Sequence, residues 1–194
     1  MRAATRFLAA LGVLLIVTMP ALSAQHPHTR KGFWIGFGFG GGSAGVSCTG
    51  CTTHRETGFT GFLKMGGTLS PKVLLGGESS GWAKKSSGVT TELGSLAAAV
   101  YVYPAPASGF FAKIGPSFAV YREDDGTNPA LTGTGFGFVL GAGYDVRVGA
   151  NISITPVANF QWGSVGELTQ NNVTTSGLGL KQNIFDFGLG ITFH

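Results

Sequence analysis

Asn183 to His194 reads N-I-F-D-F-G-L-G-I-T-F-H, and the fold turns on how that stretch is read. Phe185, Phe187, Leu189, Ile191 and Phe193 fall on every second position. Ile184, Asp186, Gly188, Gly190 and Thr192 fall between them. Successive side chains of a β-strand point to opposite faces, so this segment has one wholly apolar face and one mostly small or polar face. An apolar face running to an aromatic beside the chain end predicts the closing strand of a transmembrane β-barrel, with its greasy side toward lipid.

Gly32 to Gly42 repeats the pattern. Phe33, Ile35, Phe37 and Phe39 face one way, and Gly36, Gly38 and Gly40 the other. The first and last strands of a barrel pair, so the expected seam is greasy outside and nearly bare inside, where glycine leaves room in a narrow lumen. Between them, alternation predicts strands over 57–69, 73–84, 91–103, 110–121, 134–146 and 152–162, with the closing strand last. In the fourth of the eight, Leu96, Val100 and Val102 compete with Leu93, Tyr101 and Tyr103 for the outer face. Turns are expected at 70–72, 104–108 and 147–151, and longer polar loops at 43–56, 84–90, 122–133 and 163–177. Short turns at one end and longer loops at the other are the asymmetry of an outer-membrane barrel. Aromatics at strand ends are expected to form two interfacial girdles: Phe33, Tyr103, Tyr144 and Phe193 at the turn end, and Phe59, Phe136 and Trp162 at the loop end. Pro116 and Pro156 fall inside strands and remove ladder donors, so bulges are expected there.

Composition points the same way. Charged residues are 11% of 194, against roughly 25% in soluble domains, and 33 residues are glycine. The formal charge of +4 includes Arg2 and Arg6, which lie in a segment expected to be removed. No Lys/Arg cluster falls on one element, which disfavours nucleic acid as a partner. Arg2 and Arg6, the apolar run Phe7 to Met19 and the small residues of Pro20-Ala21-Leu22-Ser23-Ala24 compose a signal peptide over residues 1–24. Residues 25–31 then read as a polar periplasmic lead-in, and 32–194 as the barrel. Beyond residue 25 no apolar run reaches the roughly 20 residues of a spanning helix. An exported, apolar chain without such helices enters a membrane as a closed barrel. A soluble lipocalin-like barrel would need the opposite alternation, with its charges outside.

With its eight strands, its signal peptide and its closing F-D-F-G-L-G-I-T-F-H, the mature chain resembles the small eight-stranded outer-membrane barrels, the OmpA-like and OmpX-like proteins. The resemblance implies residence in the bacterial outer membrane among lipid and lipopolysaccharide, with periplasmic chaperones and the barrel-assembly machinery as partners in biogenesis. It implies that Phe185, Phe187, Leu189, Ile191 and Phe193 form the assembly signal. Here His194 follows the terminal aromatic. No peptidoglycan-binding domain is expected after the last strand.

The residues open to chemistry are few. Lys64, Glu78, Lys113, Asp145, Arg147 and Asp186 share parity with the glycine-rich face, so they point into the lumen. Three cations and three anions read as an ion-paired plug, since lumens of this size are just filled by side chains. A gated ion path is the alternative. Cys48 and Cys51 sit in the first loop, where an exported protein favours a small disulfide over a redox or metal site. His54, near Ser47 and Glu56, is the one candidate base at the rim for a lipid A-modifying enzyme. Glu123-Asp124-Asp125 lacks the ligand spacing of an EF-hand. The expectation is a barrel without cofactor or metal and without enzymatic activity, meeting an external partner through its loops. A narrow channel is the runner-up. Replacing Phe193 with Asp is expected to lower the yield of heat-modifiable barrel in the outer membrane, read as the band shift between boiled and unboiled samples. An unchanged yield would remove the closing-strand assignment.

Overall fold

A computed structural model describes residues 30–48, 50 and 54–194. The segment read as a signal peptide lies outside them, as do the lead-in residues before Arg30. The strands are β1 (Phe33–Ser47), β2 (His54–Ser70), β3 (Val73–Ser86), β4 (Val89–Val102), β5 (Phe110–Asp124), β6 (Leu131–Tyr144), the two-residue β7 (Val146–Arg147), β8 (Ile152–Gln170) and β9 (Val173–Phe193). All neighbours are antiparallel. The order β6-β5-β4-β3-β2-β1-β9-β8 closes on itself through β6–β8, making a ring of eight long strands, with β7 as a stub on β8.

The seam runs from Ile35↔Phe193 to Ser47↔Lys181. Phe37, Phe39, Phe185, Phe187, Leu189 and Ile191 all point outward and are exposed. The inner side of the seam is not bare. A Cβ at Gly38 would lie 2.6 Å from Phe62 Cζ, and one at Gly190 would lie 2.8 Å away. The glycines thus form a floor on which the Phe62 ring lies. In β4, Leu96 and Val102 face out while Leu93 and Tyr101 are buried, as is Tyr103 just beyond its end, which settles the competing faces. Tyr103 therefore belongs to the lumen rather than to the girdle expected of it.

Two further expectations are corrected. No register shift occurs at Pro116 or Pro156; the shifts lie at Thr68/Ser70, Thr134/Gly135 and Val165/Glu167. Each proline instead sits where one ladder is interrupted in unchanged register. On β5 the pairing with β4 skips from Ala97↔Ser117 to Val100↔Ile114. Beside Pro156 the ladder skips from Gly143↔Val157 to Val146↔Ile154, and on the other side of the same stretch the Asp145 N–H donates to Gly109 O at 2.9 Å.

Secondly, most of the expected loops are strand. Two of them close as two-residue turns, Ser87-Gly88 (φ 50° and 88°) and Asn171-Asn172 (φ 50° and 61°). Positive φ at both central residues matches the twist of a hairpin, and asparagine tolerates that region. Polar alternation above the apolar band had read as loop. Crossing the hydrocarbon takes roughly 9–11 residues, and β9 has 21. Its outward apolar positions span Phe185 to Phe193, so the β8–β9 hairpin rises well clear of the band. Leu189→Arg is expected to destabilise the folded barrel by about 2–4 kcal/mol, and Thr174→Arg by almost nothing, in urea titrations from lipid vesicles. Equal costs would mean that the band is misplaced.

Candidate functional site: the lumen and its two mouths

Because outward positions meet lipid, every polar side chain on the other parity must find its partner inside a narrow tube. Lys64, Glu78, Lys113, Asp145, Arg147 and Asp186 are all buried there. Among them Lys113 and Glu78 meet directly. Lys113 Nζ on β5 donates to both Glu78 oxygens on β3, at 2.6 Å to Oε2. Tyr101 Oη donates to the same oxygen at 2.6 Å. Lys64 lies across the ladder from Glu78, and its Nζ is 5.0 Å from the Phe111 ring centre and 5.6 Å from that of Tyr101. The ring faces carry the negative side of their quadrupoles toward this ammonium.

Asp186 is held by amides. Asn159 Nδ2 donates at 2.7 Å and Gln161 Nε2 at 3.3 Å, and Ser80 Oγ donates to Gln161 at 2.9 Å. Adjacency explains the first bond, since Asn159 and Asp186 are register partners across β8–β9.

The turn-end mouth is organised by Asp145, in the gap between β6 and β7. Tyr103 Oη donates to one carboxylate oxygen and Thr155 Oγ1 to the other, each at 2.8 Å. Thr155 is bonded onward to Thr192 at 2.9 Å. His194 Nε2 lies 3.4 Å from Asp145 and Arg30 Nη2 3.8 Å. Arg30, expected in a lead-in outside the barrel, is instead buried. Its guanidinium stacks 3.6 Å from the Tyr103 ring centre and donates to the carbonyls of Pro106 and Ser108, each at 3.0 Å. Arg147 is buried at the same end.

Aromatics fill the space between these polar sets. Trp34, Tyr101, Tyr103 and Phe111 pack in the lower half at centroid distances of 5.0 to 5.8 Å. Trp82, Leu93, Tyr121, Leu168 and Ile184 form a second cluster above, and Trp82 Nε1 donates to Gly42 O at 3.0 Å. Alternation along 152–162 already sets Asn159 and Gln161 inward, where the structure has them, but not as partners of Asp186. Tyr103 belongs to the strand whose faces compete. Nothing local marks Arg30 and His194, which reach the lumen from outside the strands.

At the hairpin end, the inward faces of β6, β8 and β9 rise above the upper cluster and, with the β5–β6 loop, line an open vestibule of about 530 Å³. That loop is fixed by Asp125, which accepts from the backbone N–H groups of Asn128 and Thr127 and from Asn128 Nδ2, each at 2.8 Å. The Asn128 backbone donor leads in holding the Asp125 carboxyl down to about 2. Arg55 on β2 donates to Asn183 and to Ser43 O across the rim. Cys51 lies outside the described residues, and with it the expected Cys48–Cys51 bridge. His54 opens β2 opposite Val46, and its side chain lies outside the described part.

A family model described as outer membrane protein beta-barrel domain matches residues 9–193. Among solved structures, Neisserial surface protein A aligns at a TM-score of 0.55 with 15% identity, over 85% of this chain and 98% of that one. Ail, the attachment invasion locus protein of Yersinia pestis, gives 0.49 with 13% identity over 85% and 100%. The N-terminal β-barrel domain of Pseudomonas aeruginosa OprF gives 0.48 with 15% identity over 85% and 100%. At these identities the likeness is one of fold. No curated protein matches the sequence.

Removing one partner from a buried charge cluster strands the others. Asp145→Ala is therefore expected to cost about 3–5 kcal/mol, read from urea unfolding of the refolded protein. A cost below that of an ordinary surface substitution would show that Arg30 and His194 do not depend on this carboxylate.

Proposed function

The chain belongs to the outer membrane protein beta-barrel domain family and resides in the bacterial outer membrane, and from that premise we propose that it is a plugged, non-catalytic barrel that works through the surface it presents outside the cell. The observation that carries this reading is the filling of the lumen. Two aromatic clusters, the Lys113–Glu78 pair and the Asp145 cluster lie one above another, all buried, along the barrel. A water path through that column would have to displace packed side chains and separate charge-assisted bonds.

In this reading the short-turn end faces the periplasm and the hairpin end faces outward, as the length asymmetry of such barrels implies. The β8–β9 hairpin and the β5–β6 loop are then the parts available to a partner. The outward stripe from Phe185 to Phe193 meets lipid and lipopolysaccharide, and serves the assembly machinery and chaperones as their signal during biogenesis. Residues 1–24 direct export, and a Cys48–Cys51 disulfide tightens the first external loop. The lumen carboxylates are committed to lysine, arginine, histidine and amide partners inside the barrel, which supports a structural role for them over a catalytic one.

The test is single-channel recording of the refolded protein in a planar bilayer, after heat modifiability has confirmed folding. A folded, silent barrel is the expected result. Steady, reproducible conductance steps would replace this reading with that of a narrow channel.

A further inference from the structure

The reading of a barrel that works through its outer surface leaves open what that surface takes, and the following rests on that reading. We propose that the hairpin-end vestibule is a binding site for an uncharged glycan.

The cavity has the size and build of a ligand site. Its volume of about 530 Å³ lies within the roughly 300–1,000 Å³ usual for small-ligand pockets. Its base is apolar and rigid, because Leu131 and Leu168 belong to the packed upper cluster beneath it. Val173 and Pro129 continue the apolar wall. Its rim is polar and carries no charged side chain: the lining polar groups are Asn128, Gln170, Asn171 and Thr175.

The hydrogen bonds already made decide which ligand chemistry fits. Gln170 Nε2 donates to Pro129 O at 3.1 Å, tying the hairpin to the loop. Asn128 Nδ2 donates to Asp125 at 2.8 Å. Each of those amide nitrogens keeps a second N–H, so Gln170 and Asn128 still offer a donor beside their side-chain oxygens, with the Asn171 amide and the Thr175 hydroxyl on the same rim. Neutral groups that both donate and accept match hydroxyls, which do the same. A sugar supplies several hydroxyls around one ring, and its C–H face suits the Leu131–Leu168 floor. An anion finds no cation among the lining residues, so sulfated and phosphorylated sugars are disfavoured. An extended peptide brings its N–H and C=O groups on alternating sides, a poorer match to groups that share one rim. The site is also preformed. The Asp125 bonds fix the loop, and the Asn171-Asn172 turn fixes the hairpin tip, so little ordering cost falls on binding.

The test uses the refolded full-length protein in a detergent without a sugar headgroup, probed on an array of neutral, sulfated and phosphorylated oligosaccharides. Titration calorimetry then follows with the strongest neutral probe. Binding to neutral glycans, little changed between 50 and 500 mM salt and weakened at least tenfold in both Gln170→Ala and Thr175→Val, is expected. Heat modifiability verifies that each variant folds. Repeating the titration in vesicles with and without smooth lipopolysaccharide separates the two sources: competition by the membrane sugar identifies a ligand of the cell's own surface, and its absence identifies a free or foreign glycan. Binding confined to sulfated or phosphorylated sugars, capture of peptide probes alone, or no binding to the array would each overturn the proposal. The surface-interaction reading answers to conductance, so a silent barrel that ignores glycans sinks this inference and leaves that reading standing.

Discussion

A peptide group inside hydrocarbon has no water to bond with, and each unpaired N–H or C=O there costs several kcal/mol. That constraint forces β1 onto β9 and β6 onto β8, so that the ring has no edge. It also governs how irregularities are tolerated. At Pro116 and Pro156 one ladder is interrupted while its register is kept, so each loss stays local. The register shifts between Thr134 and Gly135 and between Val165 and Glu167 fall toward the hairpin end, beyond the outward aromatics of β8, where water is available.

Closure turns the usual distribution of residues inside out. Phenylalanine and leucine line the outside, where lipid solvates them, and lysine and aspartate are enclosed. The enclosed charges are tolerated because each meets a built environment: Lys113 and Glu78 one another, Lys64 two ring faces, Asp186 two amides. Buried ion pairs of this kind add little net stability but penalise any arrangement that separates them. In a tube of eight strands they fix which residues face inward, since a slip by one residue would put them in hydrocarbon.

Asp145 adds a constraint that strand pairing does not supply. It gathers Arg30, which precedes the first strand, and His194, which follows the last. Both flank the seam between β1 and β9, and both are held by a carboxylate on the β6–β7 side of the barrel. The residues flanking the seam are thereby tied across the lumen as well as along the wall. The Arg30 bonds to Pro106 and Ser108 bring the β4–β5 turn under the same clasp.

The sequence by itself determined the fold class, the strand count and the inward set, because in a membrane barrel all three follow from parity and parity is local. Phe185 to Phe193 and Phe33 to Phe39 carry it without ambiguity. It was weakest where both parities are apolar: Tyr103 was placed in a girdle and sits instead over Arg30. It also misjudged the ends of the strands. Above the apolar band a polar strand and a polar loop have the same composition, and only the left-handed pairs at Ser87-Gly88 and Asn171-Asn172 separate them. What the tertiary structure alone decided was partnership. Which cation meets Glu78, that Asp186 is held by amides, that Arg30 folds under the barrel, and that Asn128 and Gln170 share a rim all depend on residues brought together from distant strands. Those distances come from shear and closure of the whole ring, and no stretch of sequence contains them.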